Sequence, residues 1–255
     1  MPEHTSWLTL ILGYMHETLD ANAHAFGASV LQHETPSWRS FEPIAASLLV
    51  TVIVLFVAVS AGSKLKQADD AVVPEDQLTL RTFAEAFLSY FYELAKSVMD
   101  GERAKKYFPL IATAALFVFF ANVLALVPGF PVATSSLSIT FGCAIVVFVC
   151  FNAYGLATNG FGYVKHLAGP AWYLAPLVFP IELIGLCVRP VTLAVRLFLN
   201  MSVDHLILGI FLGLVAVLVP IPLMVLGVLI VLIQTLVFTL LTCIYIGLAT
   251  EHEAH

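Results

Sequence analysis

From Leu223 to Thr250 the sequence carries no charged side chain. As one helix this stretch is ~42 Å long, more than the ~30 Å hydrocarbon core of a bilayer. Residues 171–219 before it are also mostly apolar. As a helix they run ~70 Å, so they must lie strongly tilted or break at Pro176, Pro180 and Pro190. Two over-long apolar segments, separated by Pro220-Ile221-Pro222, predict a tilted helical hairpin inside a membrane. Counting from that turn puts Asp204 about seventeen residues before its midpoint and Gly227 about six after, so contact between them needs offset or bent helices.

Composition agrees. Of 255 residues, 60% are hydrophobic and 11% charged, against about 25% charged in soluble domains. The net charge of −6 and the absence of a basic patch give no footprint for nucleic acid. Cys143, Cys150, Cys187 and Cys243 all fall in apolar stretches, where thiols act as small hydrophobes, and no CxxC spacing suggests a metal. No cofactor motif is present; GxGxxG is missing.

In order, residues 1–40 read as an outer N-terminal segment with His4, His16, His24 and His33 at no metal-ligand spacing. Its apolar piece Trp7 to Met15 is too short to span. A first span covers 41–62. The section 63–106 holds Lys64, Lys66, Arg81, Lys96, Arg103, Lys105 and Lys106, seven of the eleven basic residues. The positive-inside rule makes it cytoplasmic and the N-terminus external. Within it Phe83, Phe87, Tyr90, Phe91, Leu94 and Val98 recur at helical spacing. They predict an amphipathic helix on the cytoplasmic membrane surface or against a partner protein. A helical hairpin over 107–157 follows, its first arm carrying Asn122 and its turn at Pro128-Gly129-Phe130-Pro131. The tilted hairpin 171–250 and a cytoplasmic tail complete an all-α membrane protein. The expectation is about five membrane-embedded helices plus a surface amphipathic helix.

The residue that constrains function most is Arg196. An arginine near the bilayer centre costs ~2.5–3.5 kcal/mol on insertion scales, and it cannot deprotonate. At 100° per residue Glu182, Arg189, Thr192 and Asn200 lie within about 40° of it. Asp204 lies roughly 80° away, and His205 is on the opposite side. Arg189 and Arg196 then either pair with Glu182 and Asp204 as structural glue, or Arg196 waits for a mobile anion.

These residues resemble subunit a of the F-type ATP synthase family. The resemblance rests on an ordered set: Tyr107-Phe108-Pro109-Leu110-Ile111, then Val164-Lys165-His166 with Gly169-Pro170. Phe179-Pro180-Ile181-Glu182 with Arg189-Pro190 follows, then Arg196-Leu197-Phe198 with Asn200, and Gln234 in the last helix. It implies a non-catalytic, proton-conducting stator subunit of a hetero-oligomeric complex in the bacterial inner membrane. The implied partners are a ring of c subunits, each with a membrane-embedded carboxylate, and a peripheral stalk with its b subunits. It implies that Arg196 faces that ring, with Asn200 and Gln234 as polar companions. Glu182 and Thr192 would line a cytoplasmic half-channel, and Asp204, His205 and Asn122 an outer one. The sequence departs from the family pattern at Leu199, usually glycine. The acid that many relatives carry after this motif is His205 here, with Asp204 just before it; Gly227 stands where members lacking an acid at the Asp204 position often carry a titratable residue, and Ser136 replaces a frequent aspartate.

Two other classes fit less well. A secondary transporter would show internal repeats, and the long helix pair has no counterpart in the first half. An intramembrane enzyme would need a site such as HExxH, which is absent.

Overall fold

The structure, a computed structural model, describes residues 8, 13–14, 41–65, 79–127, 130, 133–160, 163, 175–214 and 220–250. Most of the segment 1–40, the loop at Lys165 and His166, the tail 251–255 and the side chain of His205 lie outside the described residues.

The described chain is helical: α1 Glu42–Leu65, α2 Leu80–Val98, α3 Gly101–Ala125, α4 Leu137–Asn159, α5 Ala175–Leu214 and α6 Pro220–Ala249. A single 3-10 turn, Ala133–Ser135, precedes α4. All but α2 contain stretches long and apolar enough to cross a membrane.

The possible breaks at proline do not occur. α5 is one 40-residue helix with Pro180 and Pro190 inside it, ~60 Å long and so twice the thickness of a hydrocarbon core. Its outer face, including Ile184, Val188, Val191 and Val203, is exposed and apolar, as are Val225, Leu229, Leu232 and Ile233 of α6. Apolar surface on this scale is suited to lipid or a protein partner, not to water. On the inner face of α6, Thr235, Thr239 and Thr242 are buried, and each hydroxyl donates to the carbonyl four residues back. These three hydroxyls are thereby satisfied within their own helix, as apolar surroundings require.

The aromatic stripe of α2 is covered largely within the chain. Thr79 caps the helix by accepting from the Thr82 amide. Tyr92 meets Phe108 with ring centroids 5.1 Å apart, and farther along Phe83 meets Phe119 at 5.9 Å. The α3 partner rises in number as the α2 residue falls, so the two helices run antiparallel. Phe87 and Leu88 also cover Val50 and Val54 of α1. Arg81 is buried and held by Glu85 at 2.6 Å.

The central core joins Tyr107 and Ile111 of α3, Phe151 of α4, Leu197 of α5 and Phe238 and Ile246 of α6. At one end of the bundle Tyr107 and Thr158 share a 3.0 Å hydroxyl hydrogen bond, and the Asn159 amide donates to the Ala249 carbonyl at 3.3 Å. Gly155 lets α4 approach α6 there. A Cβ at that position would sit 3.0 Å from the Ala249 carbonyl oxygen and 2.9 Å from the Tyr163 ring. Lys96, Arg103, Lys105 and Lys106 lie at the start of α3 or just before it, which makes this the basic end.

Candidate functional site

The α5–α6 hairpin has one constant register. The Arg189 guanidinium lies over the Tyr245 ring, 5.4 Å from its centroid. Asn200 hydrogen-bonds Gln234, and Asp204 shares a cavity with Ile230. All three pairs are centred on position 217. The sequence centres the turn at Pro220–Pro222, but Pro220 is the first residue of α6. Proline fits a helix's first turn, where its missing N–H would have had no partner anyway. With the centre at 217, Asp204 and Gly227 differ by three residues in distance from the turn, less than one 3.6-residue helical turn.

Arg196 lies near the middle of α5, on its exposed face. Among the described residues no carboxylate is within ion-pair distance of it. One turn on, the Asn200 Nδ2 donates to the Gln234 Oε1 at 2.6 Å, joining α5 to the middle of α6. Gln234 is 2% exposed, and its Nε2 has no partner among the described residues. A buried amide without a partner costs about 1–3 kcal/mol, so this polar contact is not there for stability alone.

Toward the distal end, a cavity of about 80 Å³ is lined by Leu126, Met201, Asp204, Ile207, Gly227 and Ile230 among others. A water needs at least about 10–15 Å³, so several fit. The Asp204 Oδ2 is buried without a hydrogen-bond partner, and no described cation pairs with it. Gly227 keeps the cavity open: a Cβ there would lie 2.5 Å from Leu126 Cδ2. Asn122, fully buried on α3, accepts from the Thr134 hydroxyl at 3.2 Å, and its Nδ2 is unpartnered. Asn122 itself does not line the cavity, whereas Ala125 and Leu126 beyond it on α3 do.

Toward the basic end, Glu182 and Arg189 pair at 3.8 Å. Of the two arginines, Arg189 therefore has a carboxylate partner within the chain, and Arg196 has none among the described residues. Thr192 is exposed, and its hydroxyl is committed to the carbonyls of Val188 and Arg189. Tyr163 and Asn152 were not singled out by sequence reasoning. The Tyr163 hydroxyl donates to Asn152 Oδ1 at 2.9 Å. Burial pushes that phenol above its usual value; the Arg189 charge opposes the shift and Glu182 adds to it. No motif marked Tyr163, whose partner Asn152 lies eleven residues earlier.

Five helices long and apolar enough to cross a membrane, with an exposed arginine at the middle of one and acids before and after it, define the class: a multi-pass membrane protein with charges inside a span. The family model described as ATP synthase A chain matches residues 44–247. "ATP synthase subunit a" of Sorangium cellulosum (strain So ce56) is 55% identical over 255 residues, covering 100% of each chain. The protein of that name from Geobacter sulfurreducens is 42% identical over 214 residues, 84% of this chain and 89% of its own. The chain belongs to the ATP synthase subunit a family.

Proposed function

We propose that this chain is the proton-conducting stator subunit of an F-type ATP synthase, itself non-catalytic, in a bacterial inner membrane. The observation that carries the reading is Arg196: a permanent cation, exposed at mid-helix on an apolar face, with no described carboxylate beside it. Such a charge is stabilised by an anion from outside the chain. A carboxylate on each subunit of a rotating c-ring supplies one. The exposed faces of α5 and α6 on either side of Arg196 would meet that ring, with Leu199 closing the gap where the family carries glycine.

The polar groups around Arg196 separate into two regions along α5. Glu182 lies fourteen residues before it and Asp204 eight after, ~21 Å and ~12 Å along the helix. In this reading the Asp204 cavity, with Asn122 and His205, leads protons from the outside to the ring. Glu182 and Thr192 lead them out to the cytoplasm. A protonated ring carboxyl crosses lipid neutral. On reaching the inner path it loses its proton and meets Arg196 as an anion. The fixed cation favours the ionised form there and blocks a direct leak between the two paths. Each charge that crosses releases about 2.3 kcal/mol per 100 mV, which drives rotation and hence ATP synthesis. The basic end is cytoplasmic by the positive-inside rule, which puts the N-terminus outside and the C-terminus inside.

Affinity purification of the tagged chain from its native membrane tests the assignment. A c-ring and peripheral-stalk b subunits should be recovered in fixed proportion; recovery of the chain alone or as a homo-oligomer contradicts it.

A further inference from the structure

Four buried side-chain polar atoms have no hydrogen-bond partner among the described residues: Asn122 Nδ2, Ser202 Oγ, Asp204 Oδ2 and Gln234 Nε2. They sit on three helices, yet they fall at one height. Gln234 is opposite Asn200 in the hairpin. α3 and α6 run antiparallel, since Leu126 meets Gly227 at one end while Val98 and Met99, just before α3, meet Gly247 at the other. Asn122, one turn before Leu126, is then level with Val231, which the register centred on 217 sets opposite position 203 of α5. Val231 and Met201 share a small core with Val123 and Leu126, in agreement. All four atoms therefore lie between the levels of Asn200 and Asp204, ~6 Å along the helix.

Toward the basic end the buried hydroxyls are satisfied. Thr239, Thr242 and Thr250 donate to carbonyls of their own helix, and Tyr107 pairs with Thr158. Ser202 has the same kind of acceptors three and four residues back and bonds neither. The four atoms do not serve one another. Ser202 and Asp204 point about 160° apart round α5, and Asn122 is turned to Thr134, whose 3-10 turn packs on α5. Buried polar groups in folded proteins are paired with protein or with ordered water. Donors and acceptors gathered at one level, beside a cavity of about 80 Å³, suit internal water, which makes about three hydrogen bonds per molecule.

We propose that ordered water crosses the bundle at this level, and that Ser202 is a positioning residue that holds it on the face of α5 away from Asp204. The proposal deepens the proton-conducting reading above and rests on it. The outer path then runs across the bundle, from the turn at Thr134 to Gln234, whose partner Asn200 is one turn from Arg196. Each water on the way takes up one proton and releases another, and no electrons move.

The test uses the assembled ATP synthase. Passive proton flux from the outer side is measured in vesicles stripped of the catalytic head, and melting temperature on the purified complex. Ser202→Ala removes no hydrogen bond within the protein. A dry, unpartnered hydroxyl is a cost, so its loss would raise the melting temperature and leave flux alone. A water-bearing one gives the opposite result: flux should fall several-fold and the melting temperature should not rise. Ser202→Thr, which keeps the hydroxyl, should restore most of the flux. A cryo-EM map of the wild-type complex that resolves ordered water should show one within hydrogen-bond distance of Ser202 Oγ. Wild-type flux in Ser202→Ala overturns the proposal, as does a threonine variant as slow as the alanine one. So does a map with ordered water elsewhere in the bundle and none at Ser202. If Arg196→Ala still pumps, the conducting reading fails and takes the role of Ser202 with it. If Arg196→Ala abolishes pumping while Ser202→Ala conducts normally, only the role of Ser202 is lost.

Discussion

Asn200 of α5 donates to Gln234, midway along α6, across 2.6 Å and one turn from Arg196. The bond has the same register as the Arg189–Tyr245 contact farther along the hairpin. Buried interhelical hydrogen bonds of this kind contribute about 0.6 kcal/mol on average and up to ~1.7. Asn200→Leu and Gln234→Leu should therefore each lower the thermal stability of the purified complex. The double variant should cost less than their sum by about that amount. Strict additivity would show that the two amides do not act together.

The hairpin also shows what was legible in the sequence. Spans, their number and the over-long last pair followed from apolar run length, because lipid leaves helices few other options. The register did not. Pro220 reads as a turn residue, yet it also suits a first helical turn, and only the paired levels of Arg189 with Tyr245 and Asn200 with Gln234 reveal the centre at 217. Glu182, Arg196 and Asp204 stood out as charges in apolar surroundings. Asn152 and Tyr163 did not, since nothing local marks an ordinary polar residue that acquires its neighbours only through tertiary folding.

The α2 stripe yields a prediction about assembly. Phe91 is 4% exposed and packs at a tilt against Phe87, whose ring meets Phe119 of α3. Large-to-small changes at buried aromatic residues cost about 3–5 kcal/mol. Replacing Phe87 and Phe91 by serine should sharply reduce the complex recovered from membranes. Normal yield with impaired conduction would place these rings in the proton path instead.

Gly155 sits at a close approach of α4 and α6. Its neighbour is the Ala249 backbone oxygen, 3.0 Å from any added Cβ, and backbone cannot rotate aside as a side chain does. Gly155→Val should force the helices apart and lower yield more than Gly142→Val, whose Cβ position is open. Equal yields would contradict the close approach.

Asp204 and Gly227 face one cavity. Asp204→Gly should slow passive proton flux from the outer side. Adding Gly227→His should restore part of it by returning a titratable group to the same space, since Leu126 Cδ2, the atom in the way, ends a flexible side chain. Wild-type flux in Asp204→Gly would remove this carboxylate from the path. Loss of stability without rescue would make it structural.

The central claim is that Arg196 is the fixed cation of the conducting path, and ATP-driven proton pumping by Arg196→Ala in assembled complexes measures it most directly. Pumping should be abolished while the complex remains intact. Arg196→Lys should restore little, because an ammonium can deprotonate when desolvated and lacks the planar fork. Pumping near the wild-type rate in the alanine variant would contradict the account.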